Sequence, residues 1–238
     1  MQGGLVARTK MTRHELKSKD EITTTLQDFT EAVYARKKEI ITGVSVVVVI
    51  GLVLIGWNVY SANRNANAQN QLSVAINAFN DTVRTPSDKE RYERTIAEAQ
   101  KTYDAYGSLP VGVIAQYYIG LSQEGLGDTA KAAETLQQVI GRGDPSIKGV
   151  AQFALGGIYR KHGEFAKAIE VYKQLYDSGG YSKAAVTFEL GQLHESNNQP
   201  DQAKDYYQKI IADFPESPFR SATDEALKRL GAAPAAAK

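Results

Sequence analysis

LGGIYRKHGEFAKAIEVY, residues 155–172, sets a Leu-Gly pair ahead of a turn glycine at 163, an alanine at 168 and a large ring at 172. The same spacing recurs on both sides of it. Ile119-Gly120 is followed by Gly127, Ala132 and Leu136, and Leu190-Gly191 by Asn198, Ala203 and Tyr207. Next to the turn residues stand Asp128, Glu164 and Gln199. The period is 36 residues from Gly120 to Gly156 and 35 from Gly156 to Gly191. A unit of this length with one turn near its middle is a helical hairpin, repeated.

Each residue type has a physical reason at its place. The early glycine lets the two helices of a hairpin approach closely, where a larger side chain would hold them apart. The turn Gly or Asn takes the left-handed conformation that ends the first helix. Alanine in the second helix leaves room for the first to cross. The large residue that follows fills the space toward the next repeat. Pro145 and Pro215 are expected to close the first and third repeats.

This pattern resembles the tetratricopeptide repeat, a unit of about 34 residues with Leu-Gly early, a tyrosine three residues after the Gly, alanine in the second helix and a terminal proline. Tyr159 holds the tyrosine place, and Gln123 and His194 replace it elsewhere. The early tryptophan is missing, with Gln116 and Gln152 in two of its places, and the second repeat ends in Gly179-Gly180. Residues 69–83 and 88–106 read as a further, degenerate hairpin, and 221–230 as a closing helix. The resemblance implies an all-α fold: a solenoid of about four hairpins over residues 72–231, enough units to stack into a stable array.

Ahead of the repeats, residues 40–60 form an uncharged, largely apolar run. At about 1.5 Å rise per helical residue it matches the roughly 30 Å hydrocarbon core of a bilayer. Its Val and Ile crowd costs little where the backbone must be satisfied within the segment. Arg36, Lys37 and Lys38 abut its amino end, whereas only Arg64 lies close beyond it, in the polar stretch 61–71. Lys and Arg resist translocation, so the expected topology is a single-pass membrane protein with its N-terminus in the cytoplasm and its C-terminal domain exported. The lack of cysteine suits a bacterial envelope, in which the anchor would cross the inner membrane and the C-terminal domain would lie in the periplasm. Trp57 and Tyr60 suit the outer interface. Ala66-Asn67-Ala68 has the small-x-small pattern of a signal-peptidase site, but a head of 39 residues and this apolar run are both long for a signal.

The head, residues 1–39, opens on a Gly, Lys and Arg-rich stretch expected to be disordered. Ser18 and Glu21 then have capping-box spacing at the start of a helix over about 20–38. Ile22, Leu26, Phe29 and Val33 form one apolar stripe along it. Two readings stand: a helix lying on the inner leaflet, or a docking helix for a membrane partner's cytosolic face. Residues 61–71 read as a stalk that continues the membrane helix, and 232–238 as a disordered Ala/Pro tail.

The chain carries 28 Lys+Arg against 27 Asp+Glu, and outside the head 20 against 21. A near-neutral exported part offers no basic field for nucleic acid. Zero cysteines exclude disulfides, thiolate zinc and thiol catalysis. His14, His162 and His194 are too scattered for a metal site, and no phosphate loop, dinucleotide fingerprint or serine elbow occurs. The reading is therefore not an enzyme, with no cofactor, no metal and no small-molecule substrate. Arg142-Gly143-Asp144 falls in a connection between hairpins, where Gly and Asp belong for structural reasons.

A short basic head containing Thr12-Arg13-His14-Glu15-Leu16-Lys17, one inward-anchored helix and divergent exported hairpins together resemble the YfgM family, ancillary subunits of the bacterial SecYEG translocon. The likeness in length and order of parts runs over nearly the whole chain. It implies a chaperone-network role: holding newly exported polypeptides beside the translocon, with translocon subunits and an anchored periplasmic prolyl isomerase such as PpiD as partners. An anchored scaffold for cell-wall synthesis, division or outer-membrane assembly has the same fold. By the repeat family's register, the residue three before each early Gly faces a peptide groove: Tyr117, Phe153 and Phe188. Ile114, Leu121, Val150 and Ala185 fall beside them, with Arg160, Lys161 and Glu195 near the rim. The competing reading is that these aromatics pack between helices as ordinary core.

Overall fold

The computed structural model describes residues 30–31, 34–83 and 87–231, and these are helical with no strand. The stripe Ile22, Leu26, Phe29 and Val33, the rest of the head before residue 30, and residues 232–238 lie outside the described residues. In chain order the helices are α1 (Lys37–Asn80), α2 (Asp88–Tyr106), α3 (Pro110–Gly125), α4 (Thr129–Arg142), α5 (Pro145–Lys161), α6 (Phe165–Ser178), α7 (Lys183–Ser196), α8 (Pro200–Asp213) and α9 (Arg220–Arg229).

The chain divides into two units, residues 1–63 and 64–238. In the first, α1 is long and apolar enough to cross a membrane, and its apolar side chains are bare: Val47, Leu52 and Trp57 are all exposed. In the second, the later part of α1 buries Ala68, Leu72, Ala75 and Ala78, spaced to share one helix face. Ala68 falls within the stretch read as a stalk. Leu72 and Ala75 join Ala99 of α2 and Ala115 and Ile119 of α3 in one core cluster. Arg91 clamps this first hairpin. Its guanidinium donates to the Phe79 carbonyl at 2.6 Å and to Asp88 at 2.9 Å, and lies 4.3 Å from the Tyr92 ring centroid.

Three further hairpins, α3/α4, α5/α6 and α7/α8, repeat one plan, and α9 closes the stack. Gly127, Gly163 and Asn198 have φ of 84°, 74° and 56°. Around each, the amide three residues past the helix reaches back to the helix's last turn: Asp128 N to Gln123 O, Glu164 N to Tyr159 O and Gln199 N to His194 O, at 2.8–2.9 Å. This left-handed stop with its long return bond satisfies carbonyls that the helix end leaves free. Of the three residues after the turn, only Asp128 is short enough to cap α4 through its side chain.

The early glycines work by close approach. A Cβ on Gly120 would lie 3.0 Å from Leu136, one on Gly156 2.7 Å from Tyr172, and one on Gly191 2.6 Å from Tyr207. Leu136, Tyr172 and Tyr207 therefore lie against the glycine of their own hairpin, where the sequence reading sent them toward the next repeat. A ring can lie flat on a helix only where no side chain intervenes. Ala132, Ala168 and Ala203 are fully buried beside them. Pro145 also differs from expectation: it stops nothing, but sits in the first turn of α5, where its missing amide costs nothing and Asp144 caps the helix.

Gly156→Leu should lower unfolding free energy by about 1–3 kcal/mol, as overpacking does. Gly157→Leu should cost less, because a Cβ there meets only the Tyr172 hydroxyl at 3.8 Å. Chemical denaturation of the two variants side by side checks this.

Candidate functional site

All eight side chains expected to form the groove and its rim are half-buried: Ile114, Tyr117 and Leu121 on α3, Val150, Phe153 and Arg160 on α5, and Phe188 and Glu195 on α7. Ala185 is buried and Lys161 exposed. Each ring thus packs on the core while part of its area stays exposed. Tyr117 and Phe153 border one core cluster, Phe188 a second built by α8 and α9, and Ile114 a third shared with α1 and α2.

Two aromatics that sequence reasoning missed complete the row. Tyr181, in the connection before α7, stacks on Phe153 with centroids 4.4 Å apart and planes 20° from parallel. Phe219, just before α9, stacks on Phe188 at 5.0 Å and 22°. Each stands one or two residues ahead of the next repeat's helix, and that shared placement was the available signal. Tyr118 meets Tyr117 edge-on at 5.5 Å. Burial, with the neighbouring Tyr118 and Tyr181, pushes the Tyr117 phenol up to about 12. At neutral pH the row presents uncharged rings.

Along the rim, the residue four after each early Gly is Glu124, Arg160 and Glu195, and each joins its repeat to the next. Glu124 accepts from Lys161 at 2.9 Å and lies 3.0 Å from His162 Nε2. Arg160 donates to Gln192 at 2.8 Å and pairs with Glu189 at 3.3 Å. Glu195 takes two bonds from Arg229 of α9, at 2.8 and 3.0 Å, and one from the Tyr207 hydroxyl at 3.0 Å. Sequence reasoning had Arg160, Lys161 and Glu195 at this edge and missed Glu124, Glu189 and Arg229. Between Arg160, Gln192, Glu195, Ser196 and Arg229 lies a recess of ≈350 Å³.

The electrostatics follow from these partners. Burial alone would push the Glu124 carboxyl up, but the hydrogen bonds from Lys161, His162 and Thr129 hold it below the ordinary range. Arg229 does the same for Glu195, against partial burial and with help from Tyr207. Burial raises Glu189, which Arg160 only partly offsets.

His162 caps the end of α5 while touching Glu124, and His194 is buried against Tyr206. Arg142 donates to the Tyr103 hydroxyl at 2.8 Å and the Gly107 carbonyl at 2.7 Å, and Asp144 accepts two amides at the start of α5. The Arg-Gly-Asp triplet is thus engaged in holding the connection together. Among the described residues, no group of three His, Asp or Glu side chains stands together as metal ligands would.

Helical hairpins closed by glycine contacts and stacked in series agree with a match of residues 32–236 to the tetratricopeptide repeat-like domain family. The chain belongs to that family. Such repeat domains are protein–protein interaction scaffolds. The fold is similar to crystal structures of nearly identical TPR-like repeats from a Podosopora anserina protein described as a kinesin light chain. One has a TM-score of 0.55 at 16% identity, covering 69% of this chain and 85% of that one. A single-site variant of those repeats gives 0.54 at 17%, covering 69% and 84%. At that identity the likeness concerns the fold alone. No curated protein matches the chain.

Glu195→Gln should cost about 1 kcal/mol at neutral pH, the size of a partly exposed charged hydrogen-bond set. Because the folded carboxyl is held below its unfolded value, that contribution is present above about pH 4.3 and is lost as pH falls through the folded value. Thermal melts of both proteins should therefore converge on acidification, and a gap that stays constant would refute the assignment.

Proposed function

We propose that the protein is an inner-membrane-anchored interaction module that exposes its repeats to the periplasm. There it assists the Sec translocon and the periplasmic chaperone network by binding newly exported polypeptides or a partner prolyl isomerase. The observation that carries this reading is the half-buried aromatic row Tyr117, Phe153 and Phe188, reinforced by Tyr181 and Phe219, on an interaction scaffold. Partly exposed rings without charge suit apolar stretches of a loosely specified chain, and the Glu124, Arg160 and Glu195 edge adds polar contacts without a strong net field.

Anchoring rests on α1, whose apolar part carries bare Val, Ile and Leu side chains between the basic cluster 36–38 and the Trp57–Tyr60 pair. Lys and Arg concentrated before the span favour an N-terminus in the cytoplasm. The stripe Ile22, Leu26, Phe29 and Val33 would then meet a membrane partner from the cytosolic side.

In-cell crosslinking from photo-reactive residues at positions 26, 117 and 153 of the full-length protein tests the reading. Adducts to translocon subunits from position 26, and to exported chains or a prolyl isomerase from 117 and 153, support it. Adducts confined to wall-synthesis, division or outer-membrane factors would replace it with the scaffold reading.

Replacing Tyr117, Phe153 and Phe188 together by Ser should weaken capture of unfolded client several-fold at temperatures where circular dichroism shows helicity intact. A triple Leu variant, which keeps apolar bulk, should retain more stability and part of the binding. Unchanged capture by the folded Ser variant would sink the groove assignment.

A further inference from the structure

Arg91, Arg160, Arg220 and Arg229 each pair with a carboxylate. Arg64 and Arg142 do not. Arg64 Nη2 approaches the Ser108 hydroxyl at 3.5 Å, while Arg142 donates to the Tyr103 hydroxyl at 2.8 Å and the Gly107 carbonyl at 2.7 Å. Two guanidiniums, one from α1 and one from the end of α4, thus converge on the dipeptide Gly107-Ser108 in the connection between α2 and α3. Neighbouring residues stand about 3.8 Å apart at Cα, so the two groups flank one stretch of backbone. Every partner they have is a neutral oxygen, and a guanidinium carries several N–H donors, so donors are left over on both.

The carboxylates nearest to them along the chain are engaged elsewhere. Asp104 accepts from the Gln100 side chain at 2.8 Å, and Asp144 from the amides of Ser146 and Ile147 at 2.9 and 3.1 Å. Among the described residues neither pairs with Arg64 or Arg142. With both aspartates counted, the net charge of the neighbourhood is close to zero, so a general field selects nothing here. Selection rests on the donors: two planar forks side by side, with no anionic acceptor in contact. A phosphodiester fits that arrangement, because its two unesterified oxygens can take one fork each.

Chain connectivity says where such a group would come from. Arg64 follows Tyr60 by four residues within the continuous helix α1, a rise of about 6 Å. A headgroup layer is about 5–8 Å deep beyond the hydrocarbon core. With Trp57 and Tyr60 at the outer interface, the Arg64 guanidinium is within reach of lipid phosphates, and the connection that Arg64 touches comes with it. Tyr106, half-buried in that connection, has the ring-and-hydroxyl character favoured at headgroup depth.

We propose that Arg64 and Arg142 form a lipid-headgroup site at the α2–α3 connection, binding the phosphodiester of an anionic phospholipid in the outer leaflet. The proposal rests on the anchored reading above and is independent of the translocon and of any client. An anionic lipid is taken over a choline lipid because choline offsets its own phosphate charge. Binding of this kind weakens as salt screens the charges.

The test uses the full-length protein in lipid nanodiscs. The chain has no cysteine, so Ala105→Cys, at an exposed position of α2, accepts a single fluorophore, and a trace of phosphatidylcholine with a nitroxide on its headgroup quenches it by proximity. Quenching should be several-fold greater in discs containing phosphatidylglycerol than in phosphatidylcholine alone, and should fall as salt is raised. Arg64→Gln gives up only the long Ser108 contact, so the fold is expected to hold; it should lose most of the difference, and Arg64→Gln with Arg142→Gln all of it. Lys37→Gln with Lys38→Gln, before the span, should keep it. Equal quenching in the two lipids would leave the arginines to an acidic protein segment and overturn the proposal. So would an Arg64→Gln variant quenched like the wild type, or a difference that disappears with Lys37 and Lys38. Suppression by dilute inorganic phosphate at constant ionic strength would overturn it too, by making the free ion the occupant. A chain that fails to enter the discs would sink the anchored reading along with the site, whereas one that enters without discriminating the lipids sinks the site alone.

Discussion

Everything in the repeat domain hangs on the contact between a bare stretch of helix backbone and a large side chain at Gly120–Leu136, Gly156–Tyr172 and Gly191–Tyr207. An added Cβ at the last two would stand inside a ring's van der Waals envelope, at 2.7 and 2.6 Å. The first helix of each hairpin is therefore held against the second at a distance no other residue permits. That spacing decides which side chains of α3, α5 and α7 go inward and which are left with an open side.

The same rings link the hairpin interior to the candidate site. Tyr172 donates to the Phe153 carbonyl at 3.2 Å and packs edge-on against the Phe153 ring at 5.4 Å. Tyr207 lies 6.0 Å from Phe188 and donates to Glu195. Burial first, and then nearby carboxylates, raise both phenols far above their ordinary value, so both stay protonated and able to donate. A disturbance at the glycine contact would reach the aromatic row and the rim through one side chain.

The row and the rim divide the work. Half-buried rings supply area for apolar contact, and ion pairs at the edge bind each repeat to the next: Glu124 to Lys161, Arg160 to Glu189, Glu195 to Arg229. Pairs exposed to this degree contribute little each, but they sit at the ends of the first helices, where neighbouring repeats would otherwise be free to splay. A scaffold built this way presents a surface of mixed character.

The sequence by itself determined the period, the hairpin, the left-handed turns at Gly127, Gly163 and Asn198 and the apolar stretch of α1, because each follows from spacing along one helix or across one turn, and it left open whether Tyr117, Phe153 and Phe188 face a groove or pack as core. It misplaced Leu136, Tyr172 and Tyr207, since spacing says that a large residue is needed but not which side it fills. Only the tertiary structure decided that Tyr181 would cover Phe153, that Phe219 would cover Phe188, that Glu195 would meet Arg229 from 34 residues away, and that Arg64 and Arg142 would converge on Gly107-Ser108. Those contacts depend on the angle at which one hairpin stacks on the next, and that angle is set by packing summed over many side chains rather than by any local pattern.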